Sequence, residues 1–178
     1  MNYIFLDRDG VINEPVLINN NPHPPKSSEE LIITQSSKEA IKLLQKNSYE
    51  IIVVTNQPDV TRGKTTKDAV YAINKKISEI CNINHFRICF HDDSDKCNCR
   101  KPKPGLLIDA SKEFKFNLEK TFMIGDRNKD IIAGQRAGCK TIFIDRRYKE
   151  EKPYKCDKIV DNLLQAVLYI IGSQGVTT

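Results

Sequence analysis

The sequence has 178 residues, with 28 lysines and arginines against 23 aspartates and glutamates, for a formal net charge of +5. This length favours a single domain with a full-sized core, and the interspersed charges argue against a nucleic-acid partner while suiting a small anionic substrate. The sequence contains no stretch of about 18 apolar residues and no secretory signal pattern, so we expect a cytoplasmic protein without a membrane partner.

The chain opens with apolar and aromatic residues at 3–6, which predict a short buried strand. Asp7, Asp9 and Gly10 follow it directly. Because side chains alternate along an extended chain, the two carboxylates share a side. Like charges this close need a cation between them or a shared proton in a dry site. Ligands of open α/β sheets bind beyond the carboxyl ends of strands, so we predict a metal-assisted site here. An ordinary polar turn is the alternative.

The segment 14–33 is rich in asparagine and proline, which predicts a long ordered loop rather than a helix. Long loops at strand ends are often functional, and an idle connector is the alternative. Beyond it, β-branched runs typical of buried parallel strands alternate with apolar faces at helical spacing. The predicted strands are 3–6, 50–55, 86–90, 121–124 and 140–144, and the predicted helices begin at 36, 67, 105, 128 and 160.

This alternation predicts an α/β fold, a doubly wound parallel sheet of about five strands with helices on both faces. We expect one domain over 1–178, no separate lid domain, and a frayed tail over 172–178. The final helix, 160–171, is apolar enough to pack on the sheet. Its surplus apolar residues could instead form an oligomer contact, but we predict a monomer.

Polar residues at the predicted strand ends form a first constellation. In a doubly wound sheet these ends meet at one edge, and carboxylates there suit Mg²⁺, which also accepts a substrate phosphate oxygen. Cations and a hydroxyl nearby can hold a phosphoryl group, so the set predicts a phosphoryl-transfer site. Helix capping is the alternative role for the last two acids. The members are Asp7, Asp9, Thr55, Arg100, Lys101, Asp126 and Asp130.

A second constellation, the cysteine cluster, consists of Cys89, His91, Cys97 and Cys99. Six cysteines in a cytoplasmic chain indicate thiols or metal ligands rather than disulfides. Three thiolates and one imidazole form a closed, structural Zn²⁺ set with no open position for catalysis. We predict that zinc fixes the segment carrying Arg100 and Lys101; free thiols beside a surface histidine are the alternative.

These motifs resemble those of the haloacid dehalogenase superfamily: Asp-x-Asp-Gly, an apolar strand ending in threonine, a lysine, and Gly-Asp-x-x-x-Asp. The resemblance runs in order from Tyr3 to Ile144. Within it, Thr-Asn-Gln at 55–57 with Arg-Gly at 62–63, and the Cys-x-Cys-Arg-Lys-Pro-Lys-Pro-Gly run at 97–105, resemble two phosphatase families. One acts on D-glycero-D-manno-heptose 1,7-bisphosphate and the other on histidinol phosphate.

The resemblance implies a role for each acid. Asp7 would be the nucleophile that forms an aspartyl-phosphate. Asp9 would protonate the leaving oxygen and then deprotonate the attacking water. Asp7, the backbone carbonyl of Asp9, and Asp126 would hold Mg²⁺, with Asp130 behind them or bound through water.

The resemblance also implies a substrate pocket. Thr55, Arg100 and Lys101 would hold the phosphoryl group, and Lys101 rather than Lys103 matches the family lysine because it follows Cys99 by two. Bordering the substrate would be Asn56, Gln57 and Arg62.

The resemblance therefore implies a Mg²⁺-dependent phosphatase that removes the C7 phosphate of the heptose bisphosphate. Histidinol phosphate or another small sugar phosphate is the alternative substrate. The longer loop after Asn13, and Pro-Asp-Val at 58–60 where Ser-Gly-Ile is commoner, leave the sugar open. A more remote alternative is a non-catalytic phospho-acceptor, like a response-regulator receiver. Such a domain would have its acceptor aspartate after the third strand, where Cys89, Phe90 and His91 stand.

Overall fold

The computed structural model describes residues 2–19 and 21–174, and it confirms the α/β fold. A six-stranded sheet has the order β5-β4-β1-β6-β7-β8 with every neighbouring pair parallel. Its strands are β1 (Asn2–Leu6), β4 (Tyr49–Asn56), β5 (His85–Cys89), β6 (Phe122–Gly125), β7 (Lys140–Ile144) and β8 (Lys158–Val160). The helices are α1 (Gln35–Lys46), α2 (Lys67–Cys81), α3 (Gly105–Phe114), α4 (Asn128–Ala137) and α5 (Leu163–Gln174).

Helices cover both faces of this sheet, as the doubly wound prediction requires. The alternation of side chains along β1 sends Ile4 and Leu6 to one face and Phe5 to the other. The first face packs against apolar residues of α1, α2 and α5, and the second against α3 and α4. Strand β1 lies between β4 and β6, so the residue that follows it, Asp7, stands at the middle of the sheet's carboxyl edge.

Two strands of the segment predicted to be a loop form a hairpin. β2 (Val16–Ile18) and β3 (Asn21–His23) pair antiparallel as a separate two-stranded sheet. Each is only three residues long, and β3 carries Asn21 and Pro22, which local propensity assigns to turns. The prediction of an ordered segment is thus confirmed. The prediction that this segment is a loop without strands was wrong.

The end of the chain also differs from prediction. The sheet has six strands rather than about five, because residues 158–160 pair with β7, and the last helix begins at Leu163 instead of 160. Helix α5 buries Leu163, Val167 and Ile170 against the sheet, which confirms the packing prediction. It continues to Gln174, beyond the predicted start of the frayed tail at 172, and 175–178 lie outside the described residues. None of the helices described is both long and apolar enough to cross a membrane.

Candidate active site

A cleft opens at the carboxyl edge of the sheet, where β1, β4 and β6 end. The hairpin forms part of its wall, so the segment 14–33 is not an idle connector. His23 also faces this cleft. The residues that line it, here named the catalytic cleft, are Asp7, Asp9, Pro15, Pro22, His23, Pro24, Thr55, Asn56, Lys101, Asp126, Arg127 and Lys129.

Lys101 is the buried cation of this cleft. Its ammonium lies 2.8 Å from Asp7 Oδ1 and 2.8 Å from Asp130 Oδ1, and it donates to the Val54 carbonyl at 2.8 Å. Burial alone would lower the pKa of Lys101, but the carboxylates of Asp130 and Asp7 outweigh it and raise that pKa. The side chain therefore remains charged, as binding a phosphoryl group requires.

Asp7, Asp126 and Asp130 form a carboxylate cluster in which one oxygen atom from each residue lies within 4.8 Å of the others. Burial, and then the charge of Asp130, raise the pKa of Asp7 to about 6 even beside Lys101. Burial followed by the charge of Asp7 raises the pKa of Asp126 well above its usual range. Asp126 Oδ1 is buried and accepts no hydrogen bond from the residues that the structure describes. Clustered buried oxygens with an unfilled acceptor fit a hard divalent cation such as Mg²⁺.

Asp130 lies closer to Lys101 than a residue that only caps a helix would. Its Oδ2 accepts from the Arg127 amide at 3.0 Å, which caps α4, while its Oδ1 faces Lys101. The alternative role proposed from the sequence, helix capping, is therefore present together with membership of the cluster.

Asp9 has a different environment from Asp7. Its carboxylate accepts from Arg8 Nη2 at 3.0 Å, from Asn13 Nδ2 at 3.0 Å and from Gln57 Nε2 at 2.9 Å. Its side chain retains 17% exposure and lines the cleft outside the carboxylate cluster. Asp7 and Asp9 thus face one cleft, as the alternation predicts, but only Asp7 contacts the lysine.

A turn at Gly10 brings this first loop against Asp126. Gly10 has a φ of +88°, and a Cβ built there would lie 1.8 Å from Asp126 Oδ2. Any side chain at position 10 would displace that carboxylate, so glycine is required by space as well as by conformation.

The Thr-Asn-Gln run at the end of β4 supports the cleft from behind. Gln57 is 1% exposed and donates from one amide nitrogen both to Asp9 and to Thr55 Oγ1, the latter at 2.8 Å. Asn56 brackets the backbone of Lys101, donating to its carbonyl at 3.0 Å and accepting from its amide at 3.1 Å. The structure places Gln57 behind the reactive groups rather than at the border of the cleft.

The two predicted arginines lie farther out. Arg62 donates to both carboxylate oxygens of Asp92, at 2.8 and 2.5 Å, and Arg100 donates to Asp93 at 2.7 Å. Both line an open groove of about 430 Å³ beyond the hairpin and Asn56, here named the outer groove. The structure therefore brings them to the approach to the cleft and not against Asp7.

The predicted cysteine cluster is assembled. Cys89 Sγ lies 3.8 Å from Cys97 Sγ and 3.1 Å from Cys99 Sγ, and His91 Nδ1 lies 3.2 Å from Cys99 Sγ. Ligands at about 2.0–2.3 Å from a tetrahedral zinc would have comparable separations. Burial, and then the neighbouring Cys99 thiol, raise the pKa of Cys89, a cost that a bound cation would remove. The four side chains can therefore bind a metal, and four ligands leave no open position.

Sequence reasoning missed the residues that follow β7. Arg146 Nε donates to the Gly10 carbonyl at 2.8 Å, and Arg146 Nη1 pairs with Glu14 at 3.0 Å. Tyr148 has its hydroxyl next to Asp126, and burial followed by that charge raises its pKa. Residues 146–148 thus hold the loop that carries Asp7 and Asp9. No sequence signal distinguishes them, because they lie in a charged run that reads as a solvated loop.

A buried aspartate beside a lysine, with further carboxylates at the carboxyl edge of a parallel sheet, defines the phosphohydrolase class of site. A family model described as HAD-hydrolase-like matches residues 98–166. A D-glycero-beta-D-manno-heptose-1,7-bisphosphate 7-phosphatase of Neisseria meningitidis is 33% identical over 149 residues, 81% of this chain and 77% of that protein. The enzyme of that name from Helicobacter pylori is 33% identical over 143 residues, 77% of this chain and 79% of its own.

The fold agrees with these relatives. A crystal structure of a D,D-heptose 1,7-bisphosphate phosphatase from B. bronchiseptica superposes with a TM-score of 0.85 at 24% identity, covering 97% of this chain and 99% of the other. The chain therefore belongs to the haloacid dehalogenase superfamily of hydrolases, and within it to the heptose-1,7-bisphosphate 7-phosphatase family. It is a phosphoric monoester hydrolase.

Proposed function

We propose that this protein removes the C7 phosphate of D-glycero-D-manno-heptose 1,7-bisphosphate in a Mg²⁺-dependent reaction that passes through an aspartyl-phosphate on Asp7. The observation that carries the proposal is the position of Asp7, buried at the floor of the cleft with its Oδ1 2.8 Å from the ammonium of Lys101. That contact holds the attacking carboxylate of Asp7 next to the phosphate-binding ammonium of Lys101.

The reaction divides between the two acids of the first loop. The Asp7 carboxylate attacks phosphorus and forms an acyl-phosphate bond as the bond to the sugar oxygen breaks, and Asp9 gives its proton to that oxygen. Water then attacks the acyl-phosphate, loses its proton to Asp9, and releases inorganic phosphate with Asp7 restored. The three donors to Asp9 hold its carboxyl group toward the cleft for both transfers.

Other residues hold the transferred group. Lys101 and the Thr55 hydroxyl bind the phosphoryl oxygens, while Asn56 fixes the Lys101 backbone and Gln57 orients Thr55 and Asp9. Arg62 and Arg100 border the substrate from the outer groove. Asp7, Asp126 and the backbone carbonyl of Asp9, with Asp130 beside them, would hold Mg²⁺, which would supply charge neutralisation at the phosphoryl oxygens. The crystal structure from B. bronchiseptica is described as a complex with magnesium and phosphate, which supports this assignment.

Zinc in the cysteine cluster has a structural role in this proposal. Arg100 and Lys101 follow Cys99 directly, so a metal that fixes Cys97 and Cys99 fixes the start of the segment that delivers them. Lys103 adds to this order by donating to the Cys97 carbonyl at 2.5 Å.

The substrate assignment is supported by the named relatives and by the open, basic approach to the cleft. Relatives at 33% identity are named for the beta anomer in Neisseria meningitidis and for the alpha anomer in Photorhabdus laumondii, so the anomer is a property to be measured. We further propose that the enzyme is a cytoplasmic monomer whose only partners are small phosphorylated sugars or alcohols.

The test is phosphate release with Mg²⁺ from both anomers of heptose 1,7-bisphosphate, histidinol phosphate and hexose bisphosphates. The proposal expects kcat/KM at least tenfold higher for one heptose anomer, and loss of turnover in Asp7→Asn, which keeps the shape of the side chain. Preference for histidinol phosphate would replace the substrate and keep the mechanism. Full activity in Asp7→Asn would refute the mechanism, and a stable phosphorylated Asp7 without turnover would favour a phospho-acceptor.

A further inference from the structure

Five basic side chains line the outer groove, and they differ in how their charges are used. The groove adjoins the catalytic cleft, and Asn56, Arg127 and Lys129 belong to the walls of both. A substrate whose phosphate reaches Asp7 can therefore extend its far end along this groove. The five cations that it would pass are Arg62, Lys64, Arg100, Arg127 and Lys129.

All three arginines already have carboxylate partners. Arg62 pairs with Asp92 and Arg100 with Asp93, at 2.5 and 2.7 Å. Arg127 pairs with Glu150, which itself lines the groove. An anion that used one of these guanidinium groups would have to compete with a carboxylate already bound to it.

The two lysines have no such partner. Within the described part of the chain, neither Lys64 nor Lys129 has an ion pair within 4 Å or a side-chain hydrogen bond. Lys129 is the more favourable of the two, because it alone lines both the catalytic cleft and the outer groove. Lys64 lines the outer groove and the neighbouring cavity behind the hairpin.

We propose that Lys129 is a specificity-determining residue that binds the second phosphate of a bisphosphate substrate, the one that is not transferred. This inference rests on the proposed function and adds a residue to it. The transferred group already has a buried ammonium, that of Lys101, so we assign the unpaired side chain of Lys129, at the junction of cleft and groove, to an anion farther out. The second phosphate of a bisphosphate, bound there as a dianion, would give Lys129 the partner it lacks. A substrate that carries only the transferred phosphate would leave Lys129 unpaired.

The experiment compares two substrates that differ only in that phosphate: heptose 1,7-bisphosphate in the preferred anomer, and heptose 7-phosphate. Lys129→Gln should raise KM for the bisphosphate about tenfold to a hundredfold, the range expected for a lost charge-assisted hydrogen bond. Its kcat should change less than about threefold, because the groups at Asp7 are intact. The loss of kcat/KM for heptose 7-phosphate should be at least fivefold smaller, and Lys129→Arg should recover part of the lost affinity.

Lys64→Gln is the matched comparison, since it removes the same charge from the same groove without touching the catalytic cleft. We expect it to raise KM for the bisphosphate less than about threefold, a through-solvent effect. Equal losses of Lys129→Gln on both substrates would place Lys129 at the transferred group and overturn the inference. So would a selective effect in Lys64→Gln alone, or none in Lys129→Gln. Wild-type enzyme without preference for the bisphosphate would overturn the proposed substrate as well, so the two failures are distinguishable.

Discussion

The carboxylate cluster and the cysteine cluster differ in how far apart their members lie along the chain. Asp7, Asp126 and Asp130 follow β1 and β6, and the sheet brings them together behind Lys101. The members of the cysteine cluster all lie within residues 89–99. The first cluster is fully buried, whereas His91 of the second is exposed. The sheet topology therefore brings the members of the first cluster together, whereas a single short stretch of chain brings together the members of the second.

The two clusters are nevertheless joined by a short stretch of backbone. Cys99 belongs to one and Lys101, two residues later, contacts the other. Lys101 is also fixed independently of the cysteines, by Asn56 on its backbone and by the Val54 carbonyl on its ammonium. The comparison predicts that a substitution at the carboxylate cluster strongly lowers activity and stability. A substitution in the cysteine cluster should lower them only in part.

The largest effect is expected from Lys101→Met. Two buried carboxylates, Asp7 and Asp130, would lose their cation, which costs about 3–5 kcal/mol of folding stability for a broken buried pair. Loss of the phosphate-binding charge should lower kcat/KM by about 10² to 10³. Thermal unfolding and phosphate-release kinetics at saturating Mg²⁺ measure both quantities.

Lys103→Gln is the control for that variant, because Lys103 is the neighbouring lysine and contacts the Cys97 carbonyl instead of the cleft. It should retain kcat/KM within about fivefold of wild type, since no reactive group loses a partner. A larger loss in Lys103→Gln than in Lys101→Met would show that the wrong lysine has been assigned to the phosphoryl group.

A smaller effect is expected from opening the cysteine cluster. Cys97→Ser, or removal of zinc by a chelator followed by excess Mg²⁺, should lower Tm by about 5 °C or more, since metal-binding energy is folding energy here. Activity should fall only about tenfold, because Asn56 and Val54 still hold Lys101.

Cys156→Ser serves as the control, because Cys156 lies outside the cluster and its thiol donates to the Lys158 carbonyl at 3.4 Å. It should leave Tm, activity and the zinc content by elemental analysis close to wild type. Unchanged Tm and activity after verified zinc loss would show that the cluster has no part in holding the loop.

The smallest effect concerns pH and the carboxylate cluster. The pKa of Asp7 is raised to about 6 in the metal-free fold against about 3.9 in an unfolded chain. Between these values the folded state binds more protons, so the metal-free protein loses stability as pH rises from about 4 to about 6. Saturating Mg²⁺ should therefore raise Tm more at pH 7.5 than at pH 5, by a few degrees in differential scanning calorimetry. An equal gain at both values would contradict this, and Asp7→Asn should reduce the difference.

Much of the fold and of the candidate site could be predicted from the sequence, for a physical reason. Buried parallel strands and the acids that follow them are local features, since an apolar run and its polar end are adjacent in the chain. The positions of Asp7 and Asp126 at one edge then follow from the topology of doubly wound sheets, whereas Lys101 was chosen from the resemblance to the family lysine. The cysteine cluster was predicted because its four ligands lie close together in sequence.

The rest depends on contacts that local pattern does not encode. The hairpin contains three-residue strands that carry asparagine and proline, and β8 follows a charged run, so neither has the propensity of a strand. The burial of Gln57 and the contact of Arg146 with Gly10 are choices of tertiary partner. In the sequence alone, Gln57 and Arg146 are indistinguishable from ordinary polar residues of a loop.

The contact between Arg146 and Gly10 joins residues 136 positions apart, and it has a consequence for synthesis of the protein on the ribosome. The nucleophile Asp7 is made well before Asp126, Asp130 and Arg146. At ordinary translation speeds of about 5–20 residues per second, Asp7 waits roughly 6 to 25 s for Asp130. During that interval the nascent chain has its nucleophile but no complete metal site, so phosphatase activity cannot begin before Asp130 has been made.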